Sequence, residues 1–585
     1  MHEHLRQDSL KLLRRLPVGD LVVIGLFAAS LAATIAFARE FRAPYTQAVV
    51  IDLSPSALPR YTLYSLMRGT IALGISYLFA FGFGLTAASS PVAERLLIPL
   101  LDILQSIPVL GFLPGLVLGL VALFPGRSIG LELAAILMIF TAQAWNLALS
   151  FYQSLKSMPE DLRAAVRLAG WPRWRAFREL EVPAAAQGLI WNGMLSMAGG
   201  WFFLMVNEAF QLGNHDFRLP GVGAYMSVAV ERGDTGAMAL AILAMVIMIT
   251  AVDRLFWRPL VVWGQRFRLD DSSGEAPATN WLLDLLRRSR VPWHTRRISR
   301  RAVRSVRRAT LPLRRPLASA NRVLRRLPVP NPGTPLALRV GGAVALAALG
   351  VGGAWGAWKV ISLIGRLDGA AWLQILGAAG LTFGRVMIAV VVSTAWALPA
   401  GILIGRTRAL AEALQPVIQV VASFPAPMLF PLVVVVLEQI GVGLGVGAIV
   451  LLILSCQWYI LFNVIAAVAA LPPQLKEATD VFAVTGWRQW RELYLPAAFP
   501  SLVTGWVTAA GGAWNGSIVA EYLQAGGRLQ VAPGLGSLIS EATAAANFPL
   551  LAGGIVVMSA IVVVWNRSVW RRVGRIAQLR FGTTQ

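Results

Sequence analysis

The sequence predicts an all-α polytopic membrane protein, with about twelve spans arranged as two parallel six-helix repeats. Three observations carry that prediction. Of 585 residues, 56% are hydrophobic and only 14% charged; charge-free apolar windows recur along the chain; and the two halves resemble each other at a nearly constant offset. A mean hydropathy of +0.64 excludes a soluble protein of this length. The lone cysteine, Cys456, excludes an internal disulfide, and the four scattered histidines (His2, His4, His215 and His294) lack metal-ligand spacing.

Crossing a bilayer takes about 20 apolar residues per helix. Windows of that kind fall at 21–38, 69–90, 107–123, 133–151, 184–206 and 236–252, and again at 340–358, 386–404, 413–437, 445–465, 497–520 and 548–565. The first has no small-residue cleavage site behind it and is expected to be a retained helix.

The net charge of +23 is concentrated: fifteen arginines and no acidic residue lie between Arg287 and Arg326. In a polytopic chain such a block reads as a cytosolic linker obeying the positive-inside bias, in preference to a nucleic-acid site. Within it Ile298, Ala302, Val303, Val306 and Ala309 share a helical face among arginines, a pattern suited to anionic headgroups. The expected domains are a first repeat at 1–265 (core 60–260), a linker at 266–339 and a second repeat at 340–585 (core 375–575). Five arginines and no acid at 566–585, against a loop at 207–235 with four acids and two arginines, place both termini in the cytosol.

The repeat is legible residue by residue. Arg68, Pro99, Ser106, Pro108 and Pro114 recur 317 positions on as Arg385, Pro416, Ser423, Pro425 and Pro431. Further along, Trp145, Trp174, Arg178, Glu179, Pro183, Trp201, Glu208, Pro220, Gly221 and Gly223 recur 313 positions on as Trp458, Trp487, Arg491, Glu492, Pro496, Trp514, Glu521, Pro533, Gly534 and Gly536. An even number of spans per half makes the repeats parallel, so corresponding loops emerge on one face.

Two such loops, near 156–183 and 472–496, each hold a short helix-compatible segment closed by proline. The second reads Glu477-Ala478-Thr479, then Trp487, Trp490, Arg491 and Glu492, and ends at Leu495-Pro496. It resembles the "EAA" loop of ABC importer permeases, in which Glu-Ala-Ala is followed by a glycine six residues after the glutamate and by a closing Leu-Pro. The first copy has Ala164-Ala165, then Gly170, Trp174, Arg178 and Glu179, and closes at Val182-Pro183. It lacks the glutamate, while the second has Ala483 at the glycine position. Ser423-Phe424-Pro425, Trp514-Asn515-Gly516-Ser517 and Pro533-Gly534-Leu535-Gly536 extend the resemblance, which is greatest to permeases for nitrate, sulfonate, taurine and bicarbonate.

That resemblance implies the type I importer permease fold. It also implies two copies of a cytosolic ABC ATPase gripping the loops, an external substrate-binding protein, and a bacterial inner (plasma) membrane setting. ATP and magnesium would then sit on the partner subunits. All four lysines follow leucine or tryptophan, so the chain has no G-x-x-x-x-G-K phosphate loop and is expected to be no enzyme and to carry no cofactor of its own.

Polar groups within the windows are candidates for lining a pathway: Gln105, Ser106, Gln143, Asn192, Ser423, Gln457, Asn515 and Ser517. Glu208 and Glu521, with Arg68 and Arg385 at about the same level, are candidates for an outer gate. Pairing between them is favoured over ligand contact. The arginines near the outer mouth hint at an anionic solute. A secondary carrier or channel is the rival reading, but it calls for coupled ionisable residues within spans; a membrane enzyme finds no catalytic constellation.

Overall fold

Proline, glycine and capping residues punctuate the two halves at matching places, and the helices of each half therefore end alike. The computed structural model describes residues 50–106, 108–212, 215–267, 354–525 and 528–581, and besides these 25, 32, 34–41, 282, 284 and 351–352. Contacts divide the chain into two units. Ile35–Pro277 with Arg366–Gln585 carries both repeats; Met1–Thr34 with Ala278–Gly365 is described chiefly by the apolar helix Ala354–Ile364. The amphipathic stretch 298–309 and nearly all of the linker lie outside the described residues.

The first repeat runs α1 (Leu58–Ser89), α2 (Pro91–Ser106), α3 (Leu113–Leu123), α4 (Ile129–Lys156), α5 (Glu160–Leu168), α6 (Val182–Glu208), α7 (Val222–Glu231) and α8 (Thr235–Val252). The second runs α9 (Gly369–Arg406), α10 (Arg408–Ser423), α11 (Phe430–Gln439), α12 (Leu444–Ala469), α13 (Pro473–Val481), α14 (Leu495–Ala520), α15 (Leu535–Ala544) and α16 (Phe548–Trp565), followed by α17 (Arg571–Phe581). Short antiparallel hairpins follow α6 (β1, Gln211–Leu212; β2, His215–Asp216) and α14 (β3, Tyr522–Ala525; β4, Arg528–Val531).

Eight helices among the described residues are long and apolar enough to cross a membrane. The expected windows at 107–123 and 413–437 differ from the rest. Each is interrupted by a tight turn, at Val109–Phe112 and Ala426–Met428, so that only the 11-residue α3 and the 10-residue α11 follow. Pro108 and Pro425 hold extended backbone there, and Pro114 and Pro431 open the next helices, where a missing N–H costs nothing. The windows at 21–38 and 340–358 lie mostly outside the described residues.

Caps repeat as well. Asp234 accepts the N–H of Ala237 at 2.9 Å to open α8, and Asn547, 313 positions on, accepts that of Leu550 at 3.2 Å to open α16. Four widened π turns form two equivalent pairs: Phe177–Glu181 with Trp490–Tyr494, and Asp253–Trp257 with Asn566–Trp570. The first pair directly precedes Val182-Pro183 and Leu495-Pro496, whose prolyl nitrogens cannot continue the i→i−4 ladder.

In each half the first long helix packs on the fourth element and that one on the sixth: α1 on α4 and α4 on α6, then α9 on α12 and α12 on α14. Trp201 and Trp514 are buried in these cores. Gly69 is small for that reason, since a Cβ there would stand 2.9 Å from the Trp201 ring. Contacts between halves are reciprocal. α6 meets the turn at 426–428 while α14 meets the turn at 109–112; α8 meets α10 while α16 meets α2; and β3 touches α7 while β1 touches α15.

Candidate functional site

The two loops share one construction. α5 and α13 each end in a residue with left-handed backbone, Gly170 (φ +61°) and Ala483 (φ +49°). The N–H of Gly170 donates to Arg167 O at 3.1 Å and that of Trp171 to Val166 O at 3.3 Å; Ala483 donates to Asp480 O at 3.1 Å and Val484 to Thr479 O at 2.8 Å. This pair of bonds, closing the last turn around a left-handed residue, is the Schellman motif. The family's glycine thus answers a backbone need, and Ala483 meets it with a Cβ that disfavours the conformation.

Past that turn, Arg175 pairs with Glu179 at 2.9 Å and Arg488 with Glu492 at 3.0 Å, again 313 positions apart. The expected Trp174 and Trp487 stand out at 70% and 73% exposure, and Leu168 and Val481 are similarly bare. Trp490 is half-buried, whereas Arg178, Arg491 and Glu492 are exposed. Among the α-helical residues, Ala164 and Ala478 are half-buried, whereas Ala165 and Glu477 are exposed. Each loop therefore presents apolar side chains within a rim of charge, on a helical turn fixed by its own backbone.

At the far end of α6 and α14 lie two buried ionic clusters. Arg68 is fully buried and forks onto Glu132, Nε to Oε2 at 2.7 Å and Nη2 to Oε1 at 2.6 Å; its Nη1 donates to Glu208 Oε1 at 2.6 Å and to the Pro220 carbonyl at 2.9 Å. Ser65 Oγ donates to Glu208 at 2.8 Å and accepts the N–H of Val222 at 3.0 Å, while the N–H of Gly223 donates to Glu208 Oε2 at 2.8 Å. In the second half Arg385 Nη1 donates to Glu521 at 2.8 Å and to the Pro533 carbonyl at 2.8 Å, with Thr382 in place of Ser65 and Gly536 in place of Gly223. The glycines are explained by sterics: a Cβ on Gly221 or Gly534 would land on the carboxylate itself.

Sequence reasoning nominated Arg68, Glu208, Arg385 and Glu521 and missed Ser65, Thr382 and Glu132. The first two share the 317 offset and the hydroxyl, a signal that was available. Arg68 and Arg385 do not carry the hint of an anionic solute. Both guanidiniums are spent on carboxylates and carbonyls, Arg68 with no exposed surface and Arg385 with 12%, and the first cluster holds two carboxylates for one guanidinium. They offer no free positive charge to a pathway.

The polar candidates separate into groups. Gln143 and Ser517 are buried in helix packing, Ser517 donating to Trp514 O at 2.8 Å. Asn192 donates to Ser150 Oγ at 3.1 Å and Gly188 O at 3.0 Å. Gln457 is buried, Gln105 exposed, and Ser106 closes α2. Ser423 lines a small cleft between α6 and α10 with Gln419, Trp201 and Asp253. Asn515 joins the halves: its Oδ1 accepts the N–H of Val109 at 2.8 Å. A second cavity of about 50 Å³ opens between α6 and the segments 422–426 and 454–462, walled by Phe202, Phe424, Trp458, Tyr459 and Phe462. None of the nominated polar residues faces it. Among the described residues no group of three or more His, Cys, Asp or Glu is placed to hold a metal.

Two parallel helical repeats, matched loops and reciprocal contacts define a transmembrane permease. The chain belongs to the family described as binding-protein-dependent transport system inner membrane component, which it matches twice, over residues 80–256 and 397–569. It is thus a multi-pass inner-membrane permease of the ABC importer class, with two permease domains fused in one polypeptide. It is 29% identical over 205 residues to the osmoprotectant import permease protein OsmW of Salmonella typhimurium, covering 34% of this chain and 90% of that one. It is 25% identical over 155 residues to the nitrate import permease protein NrtB of Synechococcus elongatus (26% and 53%). It is 26% identical over 162 residues to the bicarbonate transport system permease protein CmpB of Synechocystis sp. (28% and 55%). Members of this family work as transport subunits alongside ATPase and substrate-binding partners. Osmoprotectant permeases extend the range of relatives beyond the uptake group that the sequence motifs suggested.

Proposed function

We propose that this one chain supplies both halves of a pseudo-twofold translocation pathway, which switches between outward and inward access as two cytosolic ATPase subunits close on its paired loops. The single observation that carries this reading is the rod each loop is joined to. α6 starts at the first loop, at Val182, and ends at Glu208 in the buried cluster; α14 starts at Leu495 and ends one residue short of Glu521. A helix of about 27 residues rises roughly 40 Å, enough to carry a displacement of one membrane face to the other. Glu208 and Glu521 then hold the hairpins and α7 and α15 through backbone N–H groups, so that a push on the loop reaches the outer closure.

In this reading Ala164, Ala165, Gly170, Trp174, Arg178 and Glu179, with Glu477, Ala478, Trp487, Trp490, Arg491 and Glu492, form the two docking surfaces. ATP and magnesium reside on the partners. The repeats occupy 1–265 and 340–585, joined by a cytosolic linker at 266–339, and both termini face the cytosol. An external binding protein delivers a small polar solute to the outer loops near 207–235 and 521–547. Replacing Glu477 and Arg491 together and measuring how far the permease stimulates its ATPase tests the docking role; unchanged stimulation contradicts it.

A further inference from the structure

The two loops are alike in frame and unlike in surface. Both close on a left-handed residue and both carry an arginine-glutamate pair just beyond it, so residues 313 positions apart hold equivalent places. The pairs Leu168 and Val481, and Trp174 and Trp487, stay apolar and stand 89, 81, 70 and 73% exposed. At three neighbouring places the chemistry changes: Arg167 corresponds to Asp480, Ala164 to Glu477 and Ala169 to Phe482. None of these changes is absorbed within its own loop. Arg167 pairs with Glu160 at 2.7 Å, yet 67% of its side chain stays exposed, and a surface pair of that kind is worth little. Glu477 and Asp480 are exposed and, among the described residues, have no ion pair. Phe482 is exposed as well and adds a ring to the apolar patch. The first loop thus shows a cation beside its leucine, the second two carboxylates and a broader apolar end.

We infer that the two loops are gripped by two different ATPase chains: one with an acidic rim that takes Arg167, the other with a basic rim and a wider apolar socket that takes Glu477, Asp480 and Phe482. This inference rests on the docking reading above and changes only its partners, from two like subunits to two unlike ones. Two copies of one chain would bring a single rim to both loops. A rim charge that attracts Arg167 repels Asp480, and a socket closed around Ala169 has no room for the Phe482 ring. An uncharged rim would desolvate the two carboxylates of the second loop without pairing them. Because both permease domains lie on one polypeptide, every assembled permease shows one loop of each kind, and unlike partners are held in equal number.

The test uses the full-length chain purified from its own membranes with its ATPase subunits bound. A photoreactive benzoylphenylalanine replaces Leu168 or Val481, both exposed, and the linked peptides are sequenced by mass spectrometry. An ATPase chain is recognised by its G-x-x-x-x-G-K loop. The expected result is one ATPase chain linked from position 168 and a different one from position 481. The same chain linked from both positions overturns the inference and leaves docking intact, whereas no ATPase chain linked from either overturns the docking reading itself. Two exchange variants then test the rims. Ala164→Glu, Arg167→Asp and Ala169→Phe together give the first loop the surface of the second, and should lower retention of the 168-linked chain about tenfold while sparing the other. Glu477→Ala, Asp480→Arg and Phe482→Ala together should do the reverse. Retention is read without nucleotide, so that neither ATPase subunit holds the other, and opposite selectivity in the two variants separates recognition from misfolding. Wild-type retention of both chains, or equal loss of both, also overturns the inference.

Discussion

Arg68 forks onto Glu132 across two hydrogen bonds of 2.7 and 2.6 Å, whereas Arg385, its counterpart, has only the carbonyl of Gly445 at the matching place, 3.1 Å from Nε. Glycine stands where glutamate stands in the first repeat, 313 positions earlier. The two clusters hold the same hairpin-to-helix corner with different charge, so their failure should differ. Arg68→Ala strands two buried carboxylates and Arg385→Ala one. Breaking a buried pair by removing one partner costs about 3–5 kcal/mol. Thermal unfolding of the purified chain should show both variants destabilised and Arg68→Ala more so; an equal or reversed order would contradict the assignment.

The glycines of the Pro-Gly-x-Gly corners are predicted to be steric. Gly221→Ala and Gly534→Ala put a methyl on the Glu208 and Glu521 carboxylates, and such overpacking costs about 1–3 kcal/mol. The φ of Gly221 is −179°, which any residue adopts, so backbone strain is not the cause. Unaltered thermal stability in both variants would refute this explanation.

Ala483→Gly is expected to stabilise the second loop. It relieves a left-handed alanine, a conformation that costs an L-residue roughly 1–2 kcal/mol, less what glycine loses in chain entropy. Gly170→Ala should do the reverse in the first loop. Hydrogen exchange at the Val484 and Trp171 amides, which close the two Schellman turns, reads the change directly: slower at Val484 in the first variant, faster at Trp171 in the second.

Asn515→Ala removes the acceptor of the Val109 N–H and with it a hydrogen bond between the repeats. Leaving that donor unsatisfied in a partly buried place costs about 1–3 kcal/mol. The variant should melt earlier, and Asn515→Asp, which retains an acceptor, should recover part of the loss.

The repeat, the loop positions and the acidic-basic pairs were legible in sequence because each leaves a trace at fixed offset. What escaped did so for physical reasons. Hydropathy sums residues and ignores backbone breaks, so 107–123 and 413–437 read as single spans although Pro108 and Pro425 divide them. Glu132 sits beside an apolar window and advertises nothing until α1 and α4 bring Arg68 to it. Counting arginines at the outer mouth suggested an anion, but counting cannot register that a guanidinium is already neutralised. The aromatic wall of the cavity was invisible because Phe202, Phe424 and Phe462 raise hydropathy just as core residues do.

The docking of both loops is tested most directly by retention of the ATPase on the purified chain when Trp174 and Trp487 are changed to Asp, singly and together. These side chains are largely exposed, Trp174 with a ring contact to Phe177 at 5.6 Å, so insertion should stay as in the wild type and melting temperature close to it. Each single variant should retain less ATPase than the wild type, and the double variant essentially none. Full retention by a well-folded double variant would contradict the account.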